Sequence, residues 1–347
     1  MTGNYRKVKP KNPKSRIKSI IEKNFFSSPI DTIISCSLFY CLFILLEKVS
    51  KWFFYQASWE VITTNLPLYF FGSYPTSYTW RPIIWLGLLI ILVLITLTNV
   101  KYNFLRKSLQ IAWISLIPFG IIILSGGIWL KPVPTIYWGG ITLTLFISFC
   151  SGVIALPLGI ILALGRQSNL LIIRNVCSFY IDFMRSLPLI AVLFFGQLLV
   201  PLFLPVEIEL NRVVRAIIAF AIFAAAYIAE DVRGGIQSIP TNQLEAGEVL
   251  GLSRPQIYLL IVLPQALRVA LPALTNQAVG LLQNTSLMAI LGLVELLGIS
   301  RSLLANPEFI GRYMEVYVWL GICYWTMCTL ISVISKQLES NLNPDKL

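Results

Sequence analysis

Histidine does not occur in the sequence. Its absence removes the side chain most often used as a general base near neutral pH and as a metal ligand. Charge is also scarce: Asp, Glu, Lys and Arg make up 12% of the chain, against roughly 25% in a soluble domain. Polar cover for a water-facing surface is therefore missing. No Cys-x-x-Cys pair exists. The six cysteines (Cys36, Cys41, Cys150, Cys177, Cys323, Cys328) fall mostly inside apolar blocks, as small packing residues do, which argues against a disulfide framework and against a metal site. The sequence also contains no Gly-x-Ser-x-Gly elbow and no Gly-x-x-x-x-Gly-Lys-Ser/Thr phosphate loop. Nucleophilic catalysis and nucleotide hydrolysis by this chain lose their usual signatures.

What is present is apolar. Hydrophobic residues make up 56% of the 347 positions, and they lie in blocks long enough to cross a bilayer, which takes about 20 residues. We expect an all-α polytopic membrane protein with about eight spans, near residues 30–46, 83–100, 109–124, 136–164, 179–202, 213–229, 263–283 and 313–335. The first block has no small-residue cleavage site after it and reads as a retained span. The chain divides into a basic arm (1–24), an extension with three spans (25–134) and a five-span core (135–342). Residues 52–80 are rich in Trp and Tyr, which favour the headgroup layer, so this segment is expected along the outer surface.

The formal charge of +11 has a topological explanation. Arg6, Lys7, Lys9, Lys11, Lys14, Arg16, Lys18 and Lys23 crowd the first segment, a solvated arm suited to anionic headgroups. With the N-terminus in the cytoplasm, 19 of the 27 Lys and Arg fall on the inner side. The excess predicts both termini in the cytoplasm and membrane lipid, not nucleic acid, as the partner of the charge.

The most informative stretch is residues 238–264, SIPTNQLEAGEVLGLSRPQIYLLIVLP. It reads as two helices meeting at a glycine. Asn242 can cap the first, with Glu245 as capping-box partner. Gly251 supplies the break, and Ser253 caps the second, with Pro255 in the first turn and Gln256 three residues on. Ala246 and Gly247 give the first helix a small face, Glu245 and Glu248 an acidic one, and Leu244, Val249 and Leu250 an apolar one.

Glu245-Ala246-Gly247, then Gly251, Ile261 and Leu263-Pro264 resemble the EAA loop of ABC-importer permeases. Gly247 departs from the alanine usual there. The resemblance extends over about residues 137–342, through GITLTLFIS, YIDFMRSLPLI, AAYIAEDVRGGIQSIP, LPQALRVALPALTNQ, NTSLMAILGLVEL and the closing QLE, to the polar-amino-acid permease subfamily. The extension, with GSYPTSYTWRP, is similar to the longer permease subunit of general L-amino-acid and glutamate/glutamine uptake systems. The resemblance implies a type I importer core in the bacterial plasma membrane. It makes Leu244, Glu245, Ala246, Gly247, Gly251, Ile261, Leu263 and Pro264 the surface that couples to an ATPase. It also implies that ATP and Mg are used on separate ATPase subunits, two copies of them, with no cofactor in this chain. A second permease subunit and a soluble periplasmic amino-acid-binding protein complete the implied assembly.

Polar side chains inside a membrane are costly and mark interiors or water-filled paths. Asn276, Gln277, Gln283, Asn284, Thr285 and Ser286 are therefore candidates for a translocation path, in a helix interrupted by Pro264 and Pro272. The subfamily often reads LKDTSL where this chain reads LLQNTSL, so two charges are lost at Gln283 and Asn284. Glu230, Asp231 and Arg233 are candidates for an ion pair bracing the loop. An alternative is an ion-coupled secondary transporter using Glu230 and Asp231, but it predicts paired repeats that the sequence does not show.

Overall fold

The computed structural model describes residues 28–98, 103–127, 129–205 and 210–342. Among them the secondary structure is helical, apart from one isolated parallel bridge between Gly140 and Glu295. The longer helices are α1 (Pro29–Lys51), α2 (Trp80–Leu97), α3 (Asn103–Ser125), α4 (Gly140–Arg166) and α5 (Leu171–Ser186). They continue with α6 (Leu189–Phe203), α7 (Arg212–Gln237), α8 (Thr241–Val249), α9 (Arg254–Leu291), α10 (Leu296–Leu304) and α11 (Tyr313–Leu342). Seven helices are long and apolar enough to cross a membrane, and the pair α5 and α6 makes an eighth candidate. The basic arm expected over residues 1–24 lies outside the described residues.

The chain forms two compact units, Met1–Trp59 and Glu60–Leu347. In the first, Ser28 caps α1 by accepting a hydrogen bond from the Asp31 N–H at 3.1 Å, with Pro29 in the first turn. Trp52, Phe53 and Trp59 close its far end with ring centroids 5.0–6.4 Å apart.

In the second unit, α4 and α7 pack face to face at the centre. Ala216, Ala219, Ala224, Ala225 and Ala229 give α7 a buried small-residue face, which lets helices in lipid approach closely. A Cβ on Gly159 of α4 would stand 2.5 Å from Ile228 Cγ2 of α7, and one on Gly235 of α7 would stand 2.4 Å from the Ala266 carbonyl of α9. Polar ties add to this packing: Ser151 donates to the Ile217 carbonyl at 3.2 Å and Tyr180 to that of Ile222 at 2.7 Å. These bonds join α4 and α5 to α7.

Three expectations need correction. The span expected at 179–202 is broken: α5 and α6 meet at 104°. Pro188 has no N–H to continue the first helix and drives Leu187 to extended backbone, φ −87° and ψ 141°. The span expected to end at 229 runs on to Gln237, so Glu230, Asp231 and Arg233 ride on the helix itself. Residues 60–78 do not simply lie on a surface. Val61, Ile62, Tyr69 and Tyr74 are buried, Tyr69 packs edge-on against Trp319 of α11, and Thr142 of α4 donates to the Phe70 carbonyl at 2.8 Å.

Candidate functional site

The segment between α7 and α9 is an elbow held at both ends and open in the middle. Helix α8 starts at Thr241, and Pro240 takes the cap position without a side-chain hydrogen bond. Asn242 is therefore inside the helix and does not cap it. Because α7 runs to Gln237, Pro240 must both end the turn and start the next helix. Its fixed φ near −60° suits that start.

The remaining punctuation matches the expectation. Gly251 has φ +76°, and the Leu252 N–H reaches back to the Gly247 carbonyl at 3.1 Å, closing α8 as a Schellman-type end. Gln256 Oε1 accepts from the Ser253 N–H and hydroxyl, both at 2.8 Å. The second helix is continuous from Arg254 to Leu291 and contains a π turn at Tyr258–Val262. Pro264 follows that turn. Gln265, which the sequence reading passed over, donates to the Ile261 carbonyl at 2.8 Å and to Gln243 of α8 at 2.6 Å. One side chain thus satisfies a carbonyl near the proline and fastens α8 to α9.

The elbow residues divide by direction. Leu244 and Leu263 pack on the hydrophobic core. Gly247 is buried against Ile257, where an added Cβ would meet Ile257 Cγ1 at 2.8 Å. Its smallness therefore serves the protein's own packing and not an outside surface. Glu245, Ala246, Glu248, Gly251 and Pro264 are exposed, and Ile261 is half-buried. Val249 is 89% exposed and Leu250 77% exposed, an apolar tip beside two carboxylates. Glu248 pairs with Arg254 across the break at 3.7 Å, both largely exposed.

Above the elbow lies a charge cluster drawn from three helices. Glu230 of α7 is bound by Arg233, whose Nε stands 3.0 Å away. It also approaches Arg166 of α4 at 3.4 Å and Arg185 of α5 at 3.6 Å. Arg166 in turn holds Asp182 at 3.0 Å. Asp231 takes no part in these pairs. It interacts with the Gln277 amide of α9, and its Oδ2 is buried without a hydrogen-bond partner among the described residues.

The path candidates are placed unevenly along α9. Asn276 and Gln283 are exposed and lie seven residues apart on one helical face. Gln277 and Asn284 are half-buried. Thr285 is fully buried and donates to the Leu282 carbonyl at 2.7 Å, while Ser286 donates to that of Gln283 at 2.8 Å. Both hydroxyls donate within their own turn, and that of Thr285 also interacts with the Tyr324 hydroxyl of α11.

Glu295 was not singled out from the sequence. It is fully buried and caps α10, accepting from Leu297 N–H and Gly298 N–H at 2.9 Å each and from Tyr324 of α11 at 3.0 Å. Burial raises its carboxyl above the ordinary range against the pull of those donors. The available signal was a lone acid followed three residues later by glycine in an apolar run, a pattern a helix cap shares. Among the described residues, no group of His, Cys, Asp and Glu is arranged to hold a metal ion.

Comparison with known proteins adds to this geometry. The family described as "Binding-protein-dependent transport system inner membrane component" matches residues 155–344. An inner membrane amino-acid ABC transporter permease protein of Escherichia coli strain K12 is 34% identical over 348 residues, covering 95% of this chain and 94% of that one. A glutamate/glutamine/aspartate/asparagine transport system permease protein of Rhodobacter capsulatus is 39% identical, covering 62% of this chain and 50% of that one. Among solved structures, the crystal structure of an amino acid ABC transporter with histidines superposes with a TM-score of 0.51 at 27% identity. It covers 56% of this chain and 89% of that one.

Proposed function

The chain belongs to the family of binding-protein-dependent transport system inner membrane components, and from that premise we propose how its parts share the work of an amino-acid importer. It is a multi-pass inner membrane protein and the non-catalytic permease subunit of an amino-acid ABC importer. ATP, with Mg, is hydrolysed by partner subunits, two copies of them. A second permease subunit and a soluble periplasmic amino-acid-binding protein complete the assembly. The amino acids carried are of the polar class named for the relatives, acidic residues and their amides.

The observation that carries this reading is the elbow. Helix α8 is pinned to α9 by Gly247 on Ile257 and by Gln243 on Gln265, yet it leaves Glu245, Ala246, Val249 and Leu250 open. A small rigid helix with acidic and apolar positions outward suits a groove on a soluble ATPase. Its two fixed joints would transmit the motion of that groove into α7 and α9. The charge cluster of Glu230, Arg233, Arg166 and Arg185 ties α7 to α4 and α5 next to the elbow, which supports the bracing role for Glu230 and Arg233. Three guanidinium groups around Glu230 also suit a structural anchor better than a mobile ion carrier. Asp231 interacts with Gln277 and so links this bracing region to the path candidates on α9.

Asn276 and Gln283 expose amide groups on a membrane-spanning helix, an arrangement too costly against lipid tails. Their shared face fits the water-filled path between two permease subunits. In the orientation set by the basic residues, both termini and the elbow are cytoplasmic. Residues 25–134 form an extension to the core of residues 135–342.

Replacement of Glu245 by Lys tests the coupling role. In proteoliposomes containing the whole transporter, uptake should fall at least about tenfold, a loss of about 1.4 kcal/mol of coupling, with insertion and abundance unchanged. Undiminished uptake would remove the elbow from the mechanism.

A further inference from the structure

A cavity of about 420 Å³ opens where α7 begins, well away from the elbow. Its volume falls within the ordinary range for small-molecule sites. The segment before α4 supplies Thr135 and Trp138, the start of α7 supplies Asn211, Arg212 and Arg215, and the turn after α9 supplies Gly292.

The charged side chains that line it, Arg212 and Arg215, are both donors. Arg212 and Arg215 stand one helical turn apart, so two like charges share a face, an arrangement that is unfavourable unless an anion joins them. Among the described residues, neither is within ion-pair distance of a carboxylate. Arg215 Nε is buried without a hydrogen-bond partner among the described residues, and so is the indole Nε1 of Trp138, a residue only 5% exposed. Asn211 Oδ1 is already used: it takes the Thr135 hydroxyl at 2.8 Å and the Val213 N–H at 2.9 Å. Buried donors in a native structure ordinarily have partners. Gln197, 4% exposed, donates to the Arg212 carbonyl at 2.8 Å and fixes the turn that carries the guanidinium groups. Gly292, at φ +80°, leaves room beside them, since a Cβ there would stand 4.0 Å from Arg212 Nη1.

We propose that this cavity binds the carboxylate of an incoming amino acid, held by Arg212 and Arg215. The inference rests on the importer function and adds a binding site to it. The position supports it: the turn Thr285–Leu291 joins the path candidates directly to Gly292. In the orientation given above, the cavity lies on the outer side, where cargo arrives. An α-carboxylate is common to all amino acids, so the site would hold cargo without choosing among side chains.

The test uses the complete transporter in lipid nanodiscs, without binding protein or nucleotide. Phenylglyoxal modification of each arginine is followed by peptide mass spectrometry. L-Glutamate and L-glutamine should slow modification of Arg212 and Arg215 about threefold or more once two thirds of the sites are filled. The diamide of L-glutamate keeps the ammonium and loses both carboxylates, so it should give no protection, and Arg301 should be unaffected throughout. Absence of protection by either amino acid overturns the proposal. Protection that requires the soluble binding protein also overturns it, because the acceptor is then an acidic side chain of that partner. Faster modification in a Glu207→Gln/Glu209→Gln variant without ligand would assign the arginines to the chain's own carboxylates, again overturning it. ATP-driven uptake by the same transporter in proteoliposomes, now supplied with its soluble binding protein, separates this inference from the function beneath it. Uptake with unprotected arginines removes only the outer site, whereas no uptake of any amino acid removes the importer function as well.

Discussion

At the scale of single residues, the elbow shows how one position is judged differently by sequence and by structure. Gly247 in sequence reads as part of a small outward face. In three dimensions its missing side chain is the space into which Ile257 packs. Alanine would gain about 1 kcal/mol of helix propensity but would place a Cβ 2.8 Å from Ile257 Cγ1. We expect Gly247→Ala to lower the thermal midpoint of the purified transporter, and to lower it by less than half as much in an Ile257→Ala background, which removes the Cγ1 atom that the new Cβ would meet. Simple additivity of the two substitutions would show that the contact does not matter. Glu295 is the converse case, a residue whose role was hidden among apolar neighbours. Its carboxylate serves two backbone donors and the Tyr324 hydroxyl. Glu295→Ala should cost about 1–3 kcal/mol, because it orphans buried donors as well as removing a cap. A chemical-denaturation midpoint equal to that of the parent would contradict this account.

At the scale of elements, local signals were reliable where a backbone demand selects the residue. Gly251 at φ +76° and the Ser253–Gln256 box stand where the sequence put them. The first cap failed because α7 runs on to Gln237 and leaves no room for an unwound Asn242. Helix length there is set by packing of α7 on α4 and α9, which no local window contains. The same reason hides the break at Pro188. The apolar residues resume at Leu187 and run on past Pro188, although Arg185, Ser186 and the proline itself mark the bend. Since α8 and α9 are joined through the left-handed Gly251, substitution by a branched residue should misdirect the elbow. Gly251→Val should cut ATP-driven uptake severalfold and Gly251→Asn much less, as asparagine tolerates that region. Equal uptake by the two variants would show that the turn's geometry is not limiting.

At the scale of the whole molecule, orientation follows from charge and can be checked by access. In a background with the six cysteines replaced, Leu250→Cys, at the 77% exposed tip of the elbow, should react with a membrane-impermeant maleimide only from the cytoplasmic face. Ile136→Cys, at a site 73% exposed, should react only from the other. The reverse pattern would invert the topology and move both the elbow and the arginine cavity to the wrong sides.

Composition and periodicity alone determined that this is a helical membrane protein of about eight crossings, because hydrophobic length is a one-dimensional property that the bilayer reads directly. The elbow was equally legible, since its glycine and its second cap answer backbone demands only a few residues long. Tertiary structure decided what is reached across distance. It brought Arg166, Arg185 and Arg233 onto one glutamate, turned Gly247 inward, buried Thr285 and Glu295, and gathered Trp138, Arg212 and Arg215 around one cavity. These groupings depend on which helices touch, and contact between segments as distant in sequence as Tyr69 and Trp319 is fixed by packing and not by any local pattern.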